Sequence, residues 1–174
     1  VENPFELLGL PLRFDLSPGD VERRYRDLQR VVHPDRHAGA SFGARREALS
    51  SAVSVSEAYR ALRDDVLRAE ALLSALGHSV DPASMKADPA LLVEMMDLRE
   101  SMQDARSAGD ARRVEGLRAR VVAERDTTLA ELTRRFEARE LESAATLVTR
   151  LRYYRRFLEE LAGFEDEETH LGPR

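Results

Sequence analysis

Apolar positions along this chain recur at intervals of three and four, the period of a helix with one buried face. Val21, Tyr25, Leu28 and Val32 follow one another at spacings of four, three and four, a single stripe on a helix that opens at Ser17-Pro18. Pro34 disfavours helical backbone in the residue before it, so that helix stops by His33. A shorter helix precedes it: Asn3 caps free backbone N–H groups, Pro4 is preset for the first helical position, Glu6 completes the start, and Gly9 ends it. A third helix is expected from about Ala44 to Ala75, with Leu49, Ala52, Tyr59, Leu62, Val66 and Leu73 on its buried side. The stretch from Gly77 to Pro89 has little apolar periodicity and several breaking residues, which marks a boundary between two units.

The second unit opens at Asp88-Pro89, again a cap followed by a first-turn proline, and its first helix reaches Gly109. The next helix starts at Asp110 and carries Val114, Leu117, Val121, Thr128, Leu132 and Phe136. The last carries Ala144, Leu147, Leu151, Tyr154, Leu158 and Leu161. Three helices joined by short turns bury their stripes against one another, so an all-α chain is expected. Its parts are a helical unit over 1–76, a linker over 77–87, a three-helix bundle over 88–163 and a frayed acidic tail over 164–174.

Composition narrows the chemistry. Apolar residues make up 43% and charged residues 34% of 174, a globular balance, and no run approaches the roughly 20 apolar residues that cross a bilayer. The early acids Glu2, Glu6, Asp15 and Asp20 do not fit an export signal, so a soluble protein without a membrane partner is expected. The net charge of −5 argues against a nucleic-acid partner. With no cysteine, thiol catalysis, disulfides and cysteine-held metals are excluded, and the four histidines leave little for any other metal.

The most specific local feature is His33-Pro34-Asp35, between a helix bearing Arg23, Arg24, Arg26 and Arg30 and a long antiparallel helix. His33, Asp35 and His37 as metal ligands are disfavoured because Pro34 prevents a helical i, i+4 pair of histidines and no further convergent ligand is visible, and His33 with Asp35 as an acid–base pair lacks a nucleophile or a phosphate loop. A rigid turn without function is the remaining bland reading. A proline-stiffened loop that loses little entropy on binding, beside arginines that steer toward an acidic surface, suits a docking element. Together with Leu7-Leu8-Gly9-Leu10, the Tyr25 and Leu28 stripe and Ala58-Tyr59-Arg60-Ala61-Leu62, the segment resembles the J-domain, by which co-chaperones engage the ATPase of DnaK-type chaperones. The resemblance implies that Arg23, Arg24, Arg26 and Arg30 face the chaperone and that His33, Pro34 and Asp35 stimulate its ATP hydrolysis.

In the second unit, Leu91, Met95, Leu98 and Met102 are sufficient for one core seam, which leaves Leu92, Val93 and Met96 surplus beside Asp97, Glu100 and Asp104. Either the core stripe is wide with a solvated acidic edge, or the helix displays an apolar patch rimmed by acid to a partner.

The order of J-domain, linker and three-helix bundle resembles HscB, the co-chaperone family of iron–sulfur cluster biogenesis, over residues 1 to about 163. Matching runs are Leu7-Leu8-Gly9-Leu10-Pro11, Asp27-Leu28-Gln29-Arg30, Leu67-Arg68-Ala69-Glu70 with Leu72-Leu73, and Asp97-Leu98-Arg99-Glu100. The resemblance implies a scaffold-binding surface on Leu92, Val93, Met96, Asp97, Glu100, Asp104 and Tyr153, the last lying off its helix's core stripe. It implies two partners, an iron–sulfur cluster scaffold protein (IscU-like) and a specialised DnaK-type chaperone (HscA-like), and no cofactor, metal or catalysis in the chain itself. A J-domain co-chaperone for a different client is the nearest alternative; an enzyme and a plain helical scaffold protein are the others. Val93 and Asp97 are shorter than the family's usual residues, and Tyr153 stands where Phe is common. Asp64-Asp65 lacks a frequent proline, so the third helix is expected to continue without a kink. The absence of a cysteine-bearing N-terminal element leads us to expect a bacterial cytoplasmic form, with a processed organellar form as the alternative.

Overall fold

The computed structural model describes residues 3–32, 39, 41–78 and 87–171, with the side chains of 164–171 excepted. Among these residues there are seven α-helices and no strand. They are α1 (Pro4–Leu8), α2 (Pro18–Val32), α3 (Phe42–Arg63), α4 (Asp65–Ala75), α5 (Pro89–Ser107), α6 (Ala111–Glu137) and α7 (Leu141–Leu171). The chain divides into two compact units, Val1–Val80 and Asp81–Arg174.

In the first unit α2 and α3 pack side by side, with α1 laid against both and α4 against α3. Asn3 caps α1 by accepting the Phe5 N–H at 3.1 Å, and Pro4 opens the helix. Gly9 ends it with φ at 62°, which frees its N–H and that of Leu10 to bond back to the carbonyls of Glu6 and Phe5 at 3.0 and 2.8 Å. A side chain at Gly9 is strained by that left-handed backbone, and the end of the Arg24 side chain would have to shift to admit a Cβ. Phe5, Leu8, Phe14 and Val21 are buried with Ala48, Val55, Ala58 and Leu62 of α3 and Val66, Ala69, Leu72 and Leu73 of α4.

Two expectations fail here. The long third helix is broken: Asp64 is extended (φ −85°, ψ 129°), ends α3 and caps α4 by accepting the Leu67 N–H at 2.8 Å. A capping aspartate performs the interruption that proline performs elsewhere, so the lack of proline does not make the helix continuous. Leu49 is also not buried but 57% exposed; the inward line of α3 runs through Ala48, Val55, Ala58 and Leu62, one residue or about 100° away. The aromatic and branched side chains of α1 and α2 fill the space against α3, and small alanines let the backbones approach.

The second unit is an antiparallel three-helix arrangement in which α5, α6 and α7 each touch the other two. Asp88 caps α5 by accepting the Leu91 N–H at 2.9 Å, and Asp110 caps α6 by accepting the Arg113 N–H at 3.0 Å. The core joins Leu91, Met95, Leu98 and Met102 of α5 to Val121 of α6 and Tyr154, Phe157 and Leu161 of α7. The buried stripe on α7 departs from its sequence seam: Ala145, Val148, Thr149 and Phe157 are buried, while Leu147 and Leu158 are only partly so. Helix α7 continues to Leu171, past the point at Phe164 where a frayed tail was expected. No helix among the described residues is long and apolar enough to cross a membrane.

Candidate functional site

Two surfaces carry the residues singled out by the sequence, one in each unit. In the first, His33, Pro34 and Asp35, and His37 of the metal reading, lie outside the described residues, and the structure speaks for the helix that precedes them. On α2, Arg23, Arg26 and Arg30 fall on the side opposite Val21 and are exposed. Each is matched within its own helix: Arg23 pairs with Asp20, Arg26 lies 2.8 Å from Glu22 and Arg30 lies 3.7 Å from Asp27. Four arginines against three acids leave α2 with a formal charge of +1, much less basic than a count of arginines indicates. Arg24 has a separate role. Its Nε donates to the Leu8 carbonyl at 3.0 Å and its Nη2 to the Gly9 carbonyl at 3.5 Å, closing the C-terminus of α1 onto α2.

Glu22 also accepts a hydrogen bond from the Tyr59 hydroxyl, which lowers the carboxyl below its ordinary range and raises the phenol above its own. The Tyr59 ring stacks on Tyr25 with centroids 4.1 Å apart, so α2 and α3 are registered by an aromatic pair and a hydrogen bond at once. These contacts join the two helices between which His33, Pro34 and Asp35 lie in sequence.

A further fixed point was visible in the sequence only as a matching string. Arg68 is largely buried: its Nε donates to the Phe14 carbonyl at 2.8 Å, its Nη1 to the Leu62 carbonyl at 2.9 Å and its Nη2 to Asp65 at 2.6 Å, while its guanidinium lies 4.7 Å from the Phe14 ring centroid. The break at Asp64 frees carbonyls at the end of α3, and Arg68 satisfies one of them. The order of residues within the string carries no sign of that role, because its carbonyl partners lie 54 and 6 positions away.

In the second unit, the surplus apolar residues of α5 lie outside the core. Leu92, Val93 and Met96 are 43, 58 and 69% exposed, while the seam of Leu91, Met95, Leu98 and Met102 is buried. At 100° per residue the outward set with Asp97, Glu100 and Asp104 spans an arc of roughly 140°, centred opposite the seam. The three carboxylates are exposed, and none enters an ion pair among the described residues. Tyr153 on α7 is half-buried and packs at the edge of the core. The fourth nearby acid, Glu94, turns the other way: it accepts from the buried Tyr154 hydroxyl at 3.1 Å and stands 3.6 Å from Arg150. Burial first, and then the charge of Glu94, pushes the Tyr154 phenol up. The face is thus an apolar centre with an acidic rim on a helix held from behind, the form of an interaction surface.

Comparison with known proteins gives this arrangement its context. Residues 87–162 match the family model described as the HSCB C-terminal oligomerisation domain. A co-chaperone protein HscB homolog of Aliivibrio salmonicida is 34% identical over 168 residues, covering 95% of this chain and 98% of that protein. One of Bordetella pertussis is 38% identical over 165 residues, covering 92% and 95%. The solved chaperone HscB from Vibrio cholerae superposes with a TM-score of 0.86 at 32% identity, covering 95% of this chain and 99% of that one.

Proposed function

Because this chain belongs to the HscB family and is therefore a J-type co-chaperone of iron–sulfur cluster biogenesis, we propose that it binds the cluster scaffold protein through α5 and stimulates a DnaK-type ATPase through its first unit. The observation that carries this reading is the outward face of α5, where Leu92, Val93 and Met96 stand in solvent within an acidic rim. Such a face fits a partner with an apolar patch bordered by basic side chains. Tyr153 at the edge of the core extends the contact area. The IscU-like scaffold docks there, and linkage through one chain raises its concentration at the HscA-like chaperone. In the first unit, Arg23, Arg26 and Arg30 border the approach, Arg24 holds α1 and α2 together, and His33-Pro34-Asp35 biases the chaperone toward ATP hydrolysis. No step of this cycle calls for catalysis or a resident cofactor in the chain.

The test is single-turnover ATP hydrolysis by the cognate DnaK-type chaperone, with the scaffold present or absent. Stimulation that rises with scaffold and disappears in Asp35→Asn, while that variant still binds scaffold, supports both halves. Stimulation indifferent to scaffold and to Leu92→Ala overturns the client assignment and leaves a J-protein for another client. No stimulation by the unmodified chain overturns the ATPase role.

A further inference from the structure

Helix α5 is tied to α7 on both sides of its core seam. On one side Arg99 grips Glu160 fork to fork, with Nε to Oε2 at 3.0 Å and Nη2 to Oε1 at 3.1 Å, and Arg156 adds a contact of 3.4 Å to the same carboxylate. On the other side Glu94 accepts from Tyr154 at 3.1 Å, and Arg150 lies 3.3 Å from the Tyr154 hydroxyl and 3.9 Å from Asp88. In helical projection Arg99 and Glu94 stand about 70° to either side of the seam centre. Two of the four seam residues, Met95 and Met102, are methionines whose flexible side chains can repack, so the seam alone leaves the helix some freedom to roll. A roll of about 20° displaces the outward side chains by roughly 2 Å, enough to spoil a packed interface. A bidentate guanidinium–carboxylate pair is directional and resists that motion.

We propose that Arg99 and Glu160 are positioning residues whose pairing sets the roll of α5 and thereby places Leu92, Val93 and Met96 for the protein partner. The inference rests on the reading of α5 as the scaffold face. It separates cleanly from two simpler roles. The pair is partly exposed, with side chains 38 and 29% accessible, so as a stability element alone it counts for little. As a charge beside an acidic rim that attracts a basic partner, Arg99 opposes binding, so its neutralisation would tighten the complex if electrostatics were its whole effect.

The experiment uses the full chain with Arg99→Gln, Glu160→Gln and the double variant, titrated with the cluster scaffold and examined by methyl resonances of Met95 and Met96. We expect each single variant to bind about five-fold more weakly, with the double no weaker than either single, since the two act through one contact. The Met96 methyl resonance shifts or broadens in each variant before any partner is added, and the unfolding midpoint stays close to that of the unmodified chain. Unchanged or tighter binding by Arg99→Gln, or losses that add in the double, overturns the positioning role. If the unmodified chain does not bind scaffold, the reading of the face falls, and the Met96 resonance alone decides whether the pair sets the roll.

Discussion

Arg68 and Met96 sit at opposite ends of what a side chain does here. Arg68 serves two carbonyls and an aromatic ring from a largely buried position. Its replacement by alanine leaves the Leu62 and Phe14 carbonyls without their donor, and we expect a loss of about 2–3 kcal/mol in stability, measured by urea unfolding. Met96 is the reverse case, 69% exposed and outside the core. Met96→Ala should leave stability within about 0.5 kcal/mol while weakening scaffold binding about ten-fold if it is a hot spot, which titration of scaffold into the variant measures.

Helix ends and helix ties govern the next level. The α3–α4 break depends on Asp64, and Asp64→Ala removes the acceptor of the Leu67 N–H, so a loss of about 1 kcal/mol is expected in thermal or urea unfolding. The α5–α7 tie has a pH signature. Hydrogen bonding from Arg99, reinforced by its charge, holds Glu160 below the ordinary carboxyl value of 4.5. A carboxyl whose folded value lies below its unfolded one stabilises the fold fully above the unfolded value, and that stabilisation is lost as pH falls through the lowered folded value. The small stability difference between the unmodified chain and Glu160→Gln should therefore shrink further as pH falls from about 5 through the lowered folded value. A difference that stays constant over that range means that Glu160 titrates alike in the folded and unfolded chain.

With the two surfaces in different compact units, their functions should be separable by mutation. Asp35→Asn is expected to abolish ATPase stimulation without changing scaffold affinity, and Leu92→Ala to weaken scaffold binding without changing basal stimulation. Losses of both functions in either single variant, measured in parallel binding and single-turnover assays, would contradict that division.

Much of the architecture follows from local patterns. Caps at Asn3, Asp88 and Asp110, proline at first-turn positions and the seam of α5 depend on neighbours within a turn or two, and each stands in the structure as the sequence indicates, while the stripe of α2 faces inward with only Val21 fully buried. The surplus of Leu92, Val93 and Met96 over one seam was equally legible, because periodicity counts how many apolar residues a single face can hold. Periodicity left open whether the extra residues meet a core or solvent, since that depends on how far α6 and α7 wrap around α5. The interruption at Asp64 was missed because an aspartate that caps is spelled like an aspartate on a solvated face, and Leu49 was misplaced because alanine carries little signal of burial. Long-range arginines were the least legible. Arg24, Arg68 and Arg99 each find partners on another element, and only the folded chain brings a guanidinium to a carbonyl or a carboxylate 16, 54 or 61 residues away.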